Sequence, residues 1–553
     1  MGGTTAFLAK SGENLSFLTG MPLIADLLNL SGQVEFNHIT IVGRALSGLA
    51  DSLTVLLVFD IGRRVFGYWS GLLGSGLLAG AVLHIQLSHF GTFDTFLALF
   101  STATVWSTLR YHFVPSWRNL IQIGVFGALA VGSKASAGFL ALPIFAAIVL
   151  TETNSTKVLR ENWRVVIQSV ILRGLAVLGI CLFTFALTNP FALIEYGEYF
   201  ENITRQSNMI RGEYDWFFVQ QYRDTPAYLY VLGQQSRWLL GLPLTVAAYA
   251  GLAWSILRIG IFRRDNNQTK SLLILLLWVV PYLVVFGSFV VKFPRYMLPI
   301  TPIIILLGAA ILVQTAQRWR WLALVIPVVI LPTYIFAISF VNMLAVEHPW
   351  LNASRWIYEN IPPASTLSLE KFDDPLPFSQ VDNIHYGRAE TYSIVNFDPF
   401  QEPDDEVKLA AMLTTLGKSD FLVLASARMY GVIPRFELRY PFTSAYYKAL
   451  FGEELGFKPV YSAARWPTFG ALTFVDDTFR YAGLPAPRGT GPDSIVLNFG
   501  FADESFRVYD HPRVIIFQNS GRMTATEMEK RIFNRLELDY LSTKENNSSR
   551  GES

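Results

Sequence analysis

Apolar segments long enough to cross a bilayer follow one another along the first 345 residues of the chain. A helix needs about 20 apolar residues to cross roughly 30 Å of hydrocarbon. Candidate segments lie at 45–62, 69–89, 93–110, 119–133, 136–151, 166–188, 238–258, 271–291, 296–315 and 321–343. The fourth and fifth are separated only by Lys134 and two small residues, which favours a tight hairpin. The pattern predicts an α-helical polytopic membrane bundle over 41–345.

The pattern changes from about residue 346. Here a helix opens near His348–Pro349, ends at Pro362–Pro363 and precedes the short strand TLSLE. Further strand-like runs lie at 420–426, 494–500 and 513–519, with helical patterns between them. We expect a soluble α/β domain over 346–540. The polar tail 541–553 is typical of a disordered segment.

Orientation follows from the basic residues, which are retained on the cytoplasmic side of a membrane. Alternate loops carry Arg63 and Arg64; Arg110 and Arg118; Lys157, Arg160 and Arg164; Arg258, Arg263, Arg264 and Lys270; and Arg318 and Arg320. The intervening ends carry His89–Asp94, Lys134, the stretch 189–236, Lys292–Arg295 and everything after 345. We therefore expect a multi-pass protein of the cell membrane whose C-terminal domain is extracytoplasmic.

The same alternation places residues 1–40 outside the cytoplasm, as a juxtamembrane segment. This stretch lacks the basic region and continuous apolar run of a cleaved signal peptide. Either segment 15–31 crosses the membrane, or a first span is missing. We favour a truncated N-terminus.

Composition excludes several classes of protein. Hydrophobic residues make up 52% of the 553 residues and charged residues only 16%, against about 25% in ordinary soluble domains. A net charge of +1 gives no reason to expect a nucleic-acid partner. The single cysteine, Cys181, cannot form an intramolecular disulfide. No P-loop, HExxH, CxxC or GxSxG motif stands out. We expect no cofactor and name no metal ligands, and a metal requirement stays open.

Two candidate functional residues lie at ends of predicted spans. Asp94, in LSHFGTFDTF, begins the third span, where a carboxylate can take part in catalysis or simply cap the helix. Lys134 lies in the short turn of GSKASAGFLALP, where it can bind a phosphate or extend to the membrane interface. By the loop alternation both lie on the extracytoplasmic side.

A third group of candidates is in KFPRYMLPITP. Lys292 and Arg295, with Tyr296 beside them, precede a span on the side opposite to the basic loops. This departure from the usual charge bias calls for an anionic partner. Arginine suits a phosphate because its planar fork can donate to two oxygens at once. We predict that Lys134, Lys292, Arg295 and Tyr296 bind the phosphate of a donor.

The stretch 189–237 is amphipathic and rich in Tyr, Phe and Trp, which is typical of a segment lying in the membrane interface. It can line a groove for a lipid-linked substrate, or it can be a brace without ligand contact. The groove residues predicted in this way, together with the nearby histidine, are His89, Arg211, Asp215, Tyr222 and Arg223.

These motifs together resemble the GT-C membrane glycosyltransferases, in the branch of the protein O-mannosyltransferases and the lipid A aminoarabinose transferase. The matching stretches are GRALSGLADSLTVLLVFDIGRRVFG, LSHFGTFDTFLALF, GSKASAGFLALP and KFPRYMLPITP, within about 40–345. The resemblance implies transfer of a sugar from a polyprenyl-phosphate donor to an acceptor outside the cytoplasm. Asp94 matches the second acidic position of the family, and Lys134 and Arg295 match cations near the donor phosphate.

One departure from the family concerns its principal acid, an Asp-Glu type motif in the first external loop. Residues 1–40 offer only Glu13, Asp26 and Glu35, none in such a motif. A missing first span would account for both absences. Two alternatives to an enzyme stay open, a non-catalytic scaffold subunit of the same fold and a lipid or sugar transporter. The sugar and the acceptor, whether lipid, glycan or protein, are also open.

Overall fold

The computed structural model describes residues 36–153, 163–262, 267–382, 384–487, 491–492 and 494–550. The predicted crossing of segment 15–31 lies outside these residues. Within them, every predicted span is helical. The helices before the soluble domain are α1 (Phe36–Val65), α2 (Tyr68–Ala79), α3 (Val82–Ser88), α4 (Phe93–Phe113), α5 (Trp117–Ser133), α6 (Ala141–Glu152), α7 (Trp163–Thr188), α8 (Phe191–Ile194), α9 (Tyr196–Ile210), α10 (Phe217–Gln220), α11 (Leu229–Gln234), α12 (Leu242–Phe262), α13 (Asn267–Ser288), α14 (Thr301–Arg318) and α15 (Val325–Ala345).

Seven helices among the described residues are long and apolar enough to cross a membrane, or eight if the bent pair α2 and α3 counts as one span. The remaining predicted spans are α4 and α5. Helix α5 has only 17 residues, and α4 carries a run of Ser and Thr residues. Each of the about ten expected apolar segments therefore contains helix, and two of them are shorter or more polar than a typical span.

The span predicted as continuous at 69–89 is broken. Helices α2 and α3 meet at 57°, because α2 ends at the cap residue Gly80 and Ala81 adopts an extended conformation. Glycine costs about 1 kcal/mol relative to alanine inside a helix, so a break here is inexpensive. The break redirects the chain towards the turn that precedes Asp94.

Close helix packing in this part of the chain depends on glycine. A methyl group on Gly62 of α1 would lie 2.5 Å from the Cα atom of Gly71 in α2. One on Gly251 of α12 would lie 2.4 Å from the backbone nitrogen of Gly308 in α14. Small residues allow helix backbones to approach in a membrane, where no hydrophobic effect drives helices together.

The chain divides into two compact units that do not follow the linear boundary predicted near 346. Unit 1 takes the described residues up to Thr204, together with Pro243–Gly287 and Arg295–Ile330. Unit 2 takes Arg205–Leu242, Ser288–Pro294 and the described residues from Leu331 onward. The predicted interfacial stretch 189–237 is thus shared between the units, because its second part packs on the C-terminal α/β region.

Unit 2 contains the predicted α/β fold. Its remaining helices are α16 (Pro349–Asn360), α17 (Arg388–Thr391), α18 (Glu406–Gly417), α19 (Pro441–Phe451), α20 (Thr478–Tyr481), α21 (Glu504–Arg507) and α22 (Ala525–Arg550). Its strands are β1 (Thr366–Glu370), β2 (Gln380–Val381), β3 (Ile384–His385), β4 (Ser393–Phe397), β5 (Phe421–Leu424), β6 (Phe457–Ala463), β7 (Thr468–Phe469), β8 (Leu472–Val475), β9 (Ile495–Asn498) and β10 (Val514–Asn519). All four strand-like runs noted in the sequence are strands, and helix α16 begins after His348.

The main sheet of unit 2 has the strand order β4-β1-β5-β10-β6. Strand β1 is parallel to β4 and β5, whereas β10 is antiparallel to β5 and β6. Alternate residues of β5 enter different cores, with Leu422 and Leu424 on one face and Phe421 and Val423 on the other. Burial on both faces explains the continuous apolar run FLVL in the sequence.

Two smaller sheets complete the strand set, an antiparallel β2-β3 pair and the sheet β7-β8-β9. Helix α22 continues to Arg550, so residues 541–550 are helical where the sequence predicted a disordered tail. A polar composition is typical of disordered segments, and it is equally compatible with a helix that has little apolar surface to bury.

Candidate active site

Asp94 lies in the first turn of α4 and is almost fully buried, with 3% exposure. The N-cap position itself is held by Thr92, so the carboxylate of Asp94 is not the helix cap. Within the described residues its Oδ1 atom accepts no hydrogen bond. A buried carboxylate oxygen without a donor is costly, which marks this position as a candidate site.

Lys134 provides a positive charge close to that oxygen. It is held between α5 and a 3₁₀ turn at Ala135–Leu140 by an extended backbone conformation. Its Nζ atom is 3.6 Å from Asp94 Oδ1, which is an ion pair but too long for a hydrogen bond. The same ammonium lies 4.5 Å from the ring centroid of Tyr296 and 5.5 Å from that of Phe93.

Arg295 and Tyr296 bring a second cation and a phenol to the same neighbourhood of unit 1. The Tyr282 hydroxyl donates to the Tyr296 carbonyl oxygen at 3.0 Å and so fixes this turn before α14. Burial lowers the pKa of Lys134, and the nearby Arg295 charge lowers it further, while Asp94 opposes both effects. Lys134 and Arg295 are therefore close enough to repel each other, an arrangement that an anionic ligand would stabilise.

The predicted role of Lys292 in binding the donor phosphate stays a prediction. Lys292 belongs to unit 2, is 4% exposed, and donates to Thr225 Oγ1 at 3.2 Å and to the Val290 carbonyl oxygen at 2.9 Å. Burial lowers the pKa of its ammonium. Its ammonium therefore already has two oxygen acceptors within unit 2.

His89 lies on unit 1 just before the Asp94 turn. Its side chain is exposed, and its Nδ1 atom donates to the Ile85 carbonyl oxygen at 2.7 Å. The predicted role of His89 in a substrate groove stays a prediction.

The predicted groove residues on unit 2 differ in what they offer a ligand. Arg211 is exposed, and Arg223 forms an ion pair with Asp215 at 2.6 Å. Asp215 also contacts Arg439. Tyr222, in contrast, is 1% exposed and donates to Asp503 Oδ1 at 3.3 Å, so its side chain has almost no surface with which to meet a substrate.

One buried ionisable pair in unit 1 was missed by the sequence reasoning. His84 of α3 is fully buried, and its Nδ1 atom lies 2.6 Å from Asp51 Oδ1 of α1. Its Nε2 atom has no partner among the described residues. The available signal was the presence of two ionisable residues inside apolar segments, which is rare and costly in a membrane.

Residue types that bind metal ions do not gather in the described part of the chain. Over the part of the chain that the structure describes, no group of three or more His, Cys, Asp or Glu residues is arranged to hold a metal ion. The described side chains gathered around Asp94 are one carboxylate, two cations and a phenol.

Comparisons with known proteins bear on the family that the chain resembles. Residues 22–180 match the family described as dolichyl-phosphate-mannose-protein mannosyltransferase. No curated protein sequence matches the chain. This match confirms the resemblance to the GT-C membrane glycosyltransferases and covers both α1 and the Asp94–Lys134 pair.

Three solved structures are similar to the chain at low identity. An oligosaccharyltransferase of Archaeoglobus fulgidus, in complex with Zn and sulfate, has a TM-score of 0.40 and 14% identity over 76% of this chain and 60% of its own. ArnT of Cupriavidus metallidurans bound to undecaprenyl phosphate has a TM-score of 0.33 and 14% identity, covering 70% of this chain and 79% of its own. Its apo state has a TM-score of 0.29 and 18% identity over 57% of each chain. The present chain thus spans about three fifths of the oligosaccharyltransferase.

Proposed function

We propose that this protein is a glycosyltransferase that moves a sugar from a polyprenyl-phosphate donor to an acceptor on the extracytoplasmic side of the membrane. The observation that carries the proposal is the cluster of Asp94, Lys134, Arg295 and Tyr296 in unit 1. The family described for residues 22–180 uses a sugar on a lipid phosphate, which is the donor class that such a cluster suits.

The cations suit the leaving group of this reaction. When the bond between the anomeric carbon and the phosphate oxygen breaks, its electron pair stays on that oxygen and adds negative charge to the lipid phosphate. Lys134 and Arg295 stabilise this charge most strongly in a site that excludes water. Arg295 can donate to two oxygens at once, and Lys134 acts as a point charge.

Asp94 suits the role of the base that accepts the proton of the acceptor hydroxyl. An acceptor hydroxyl forms the new bond to the anomeric carbon and must lose its proton, which a carboxylate with an unoccupied oxygen can accept. The loose 3.6 Å contact with Lys134 leaves Asp94 Oδ1 available for this proton. The buried Tyr296, whose pKa is raised to about 12 by burial, stays protonated and can donate a hydrogen bond.

The extracytoplasmic side of the site follows from the distribution of basic loops. Arg318 and Arg320 precede the last predicted span and should be cytoplasmic, so the C-terminal domain lies outside. A periplasmic or exoplasmic reporter fused after residue 545 should be active. Activity of a cytoplasmic reporter at that position would reverse the orientation.

The function is tested by transfer of label. Membranes with the protein are incubated with polyprenyl phosphates carrying different radiolabelled sugars, and the label is followed into lipid, glycan and protein fractions. We expect one donor to lose its sugar only when the wild-type protein is present. Intact protein that transfers no sugar from any donor would favour the scaffold alternative, and movement of the intact donor across a sealed vesicle would favour the transporter.

A further inference from the structure

The position of the Asp94 carboxylate depends on the backbone that carries it. Among the described residues no hydrogen bond reaches its Oδ1 atom, and the Lys134 ammonium is 3.6 Å away. Asp94 is the second residue of α4, and only residues 89–92 separate α4 from α3. Because this link is so short, the position of α3 largely determines where the first turn of α4 lies.

Helix α3 is a short segment that depends on contacts with its neighbours. It has seven residues and meets α2 at 57° across the break at Gly80 and Ala81, so α2 does not hold it in line. A helix of this length is not stable alone, and lateral packing must keep it in place. Helix α1 packs against both α3 and α4.

One face of α1 follows the link that precedes α4. Gly43, Ser47 and Asp51 share this face because they are four residues apart. A methyl group on Gly43 would lie 3.5 Å from the Cα atom of Gly91, and one on Gly91 would lie 3.4 Å from that of Gly43. One turn further along, the Ser47 hydroxyl donates to the Thr92 carbonyl oxygen at 3.4 Å. The link is therefore in contact with α1 at two successive levels.

The next level of the same face is the ion pair that joins α1 to α3. His84 Nδ1 lies 2.6 Å from Asp51 Oδ1, and since an ionised carboxylate only accepts, the ring N–H donates. His84 has no exposed surface, and its Nε2 atom has no partner among the described residues. Asp51 lies inside the candidate span Thr40–Val65, where an ionisable group is costly and usually has a function.

The other end of α1 provides a matched contact. Here the Trp106 indole of α4 donates to Asp60 Oδ2 at 2.7 Å. Trp106 lies about 18 Å along α4 from Asp94, at ~1.5 Å per residue. Both bonds join α1 to the segment formed by α3 and α4, but only the bond of His84 lies close in sequence to the Asp94 turn.

We propose that His84 and Asp51 are positioning residues, whose hydrogen bond holds α3 on α1 and thereby places the Asp94 carboxylate. This inference rests on the proposed glycosyltransferase function, in which Asp94 accepts a proton. A general base must lie within hydrogen-bond reach of the group that it deprotonates, and a displacement of about 1 Å can lower a rate ~10²-fold.

The anchoring is measured without substrate. The full chain carrying Gly43→Cys, Gly91→Cys and Cys181→Ser is oxidised mildly in lipid nanodiscs, and disulfide formation is followed over time. The two Cβ positions are close enough for rapid crosslinking. Asp51→Leu or His84→Leu should slow it roughly tenfold by freeing the link, whereas Asp51→Asn, which keeps an acceptor oxygen, should not. Equal rates in all of these proteins would overturn the proposal.

The effect on Asp94 is measured by label transfer. Asp51→Leu should lower turnover roughly 10- to 100-fold and leave the donor KM within about threefold, because Lys134 and Arg295 lie on other elements. Asp51→Asn should recover most of the rate. The control Trp106→Phe removes the bond to Asp60 and should keep wild-type turnover. Slower crosslinking with unchanged turnover in Asp51→Leu would show that the pair does not place Asp94.

A double variant separates positioning from stability. Replacing both members of a buried pair by apolar residues is often nearly neutral for stability, whereas removing one member is not. Asp51→Leu/His84→Leu should therefore melt within a few degrees of wild type and still turn over as slowly as Asp51→Leu. Wild-type turnover in the double variant would overturn the role of the hydrogen bond.

Failure of this inference is distinguishable from failure of the proposed function. If wild-type protein moves no label from any donor but crosslinking responds to Asp51→Leu, the transferase proposal fails and the anchoring of α3 stands. If label moves and neither crosslinking nor turnover responds to Asp51→Leu, the positioning inference fails and the function stands.

Discussion

Asp94 of unit 1 and the cluster around Arg428 of unit 2 pair their charges differently. In unit 2, Arg428 donates to Glu504 at 2.8 Å and also lies 3.7 Å from Asp373, and the carboxylate of Asp503 accepts from two tyrosines. In unit 1, the buried carboxylate of Asp94 has a 3.6 Å contact with Lys134 and an oxygen that accepts no hydrogen bond among the described residues. Charges of the first kind maintain a fold, whereas the second arrangement leaves capacity for a ligand.

Other carboxylates of unit 1 sharpen the contrast. Asp60 accepts from Arg63 and Arg64 at 2.6 Å each, and Glu152 contacts Arg173. These pairs satisfy their charges locally, as buried or half-buried ions require. Among these carboxylates of unit 1, Asp94 alone has a long contact with its cation. The length of an ion pair is therefore more informative about a binding site than the presence of the pair.

The largest effect is expected from Asp94→Asn. Loss of the proton-accepting carboxylate should lower turnover by ~10²–10⁴-fold and leave donor affinity within about twofold, because the amide keeps the shape of the side chain. Initial rates of label transfer at several donor concentrations separate the two quantities. The control Glu198→Gln changes an exposed carboxylate of the same unit, on α9, and should behave like wild type. Equal losses in both variants would remove the special role of Asp94.

The second-largest effect is expected from Arg295→Ala. A charge-assisted contact to phosphate contributes about 1.5–3 kcal/mol, so donor affinity should fall roughly 10- to 150-fold. Arg295→Lys should recover only part of this loss, since the bidentate fork is absent. Binding of polyprenyl phosphate to the purified protein gives the measurement, with the exposed Arg44→Ala as a control in unit 1. Full recovery by lysine would show that charge alone matters.

A pH-dependent effect is expected in unit 2. Burial raises the pKa of Glu370 from 4.5 to about 8, so the folded protein holds a proton that the unfolded chain releases above pH 4.5. Stability therefore falls as pH rises from about 4.5 to 8 and then levels off. Glu370→Gln keeps a partner for the Tyr447 hydroxyl and removes this loss. Its melting temperature should exceed that of wild type by a few degrees at pH 8.5 and not at pH 5.

The control for this pH profile is Glu359→Gln, on an exposed position of α16. Its melting temperature should follow wild type at every pH. A Glu370→Gln curve parallel to wild type would mean that the buried carboxyl is ionised in the folded protein.

The smallest effect is expected at Arg355. Its guanidinium bonds Glu347 at 2.8 Å and Asp382 at 2.8 Å on the surface of unit 2. Exposed ion pairs contribute little because water and salt screen them. Arg355→Gln should leave both melting temperature and transfer rate unchanged within error. A clear destabilisation would show that surface charges in unit 2 support the fold more than their exposure suggests.

Much of the fold could be predicted from the sequence, because apolar length and period-2 runs are local signals. The spans are helical, and TLSLE and the later strand-like runs are strands. The break at Gly80 was not predicted, since glycine inside an apolar run is also common in continuous membrane helices. The helical state of 541–550 was missed because composition does not separate a polar helix from disorder.

The candidate site was only partly predictable. The alternation of basic loops indicates the side of the membrane on which each loop lies. It predicted the same side for Asp94, Lys134 and Arg295, and the structure places these residues in one neighbourhood. Lys292 donates to Thr225 in unit 2, and His84 pairs with Asp51. Both contacts depend on tertiary packing and cannot be predicted from the charges of the loops. The division of 189–237 between the units is likewise a property of packing.

The most direct test of the central claim is photo-crosslinking of the purified full chain with a polyprenyl phosphate that carries a photoreactive group beside the phosphate. We predict labelled peptides containing Asp94, Lys134 and Arg295–Tyr296, with labelling abolished by excess unmodified polyprenyl phosphate and reduced in Arg295→Ala. Labelling confined to exposed lipid-facing segments such as α7, unaffected by competitor and by Arg295→Ala, would contradict a donor-phosphate site in unit 1.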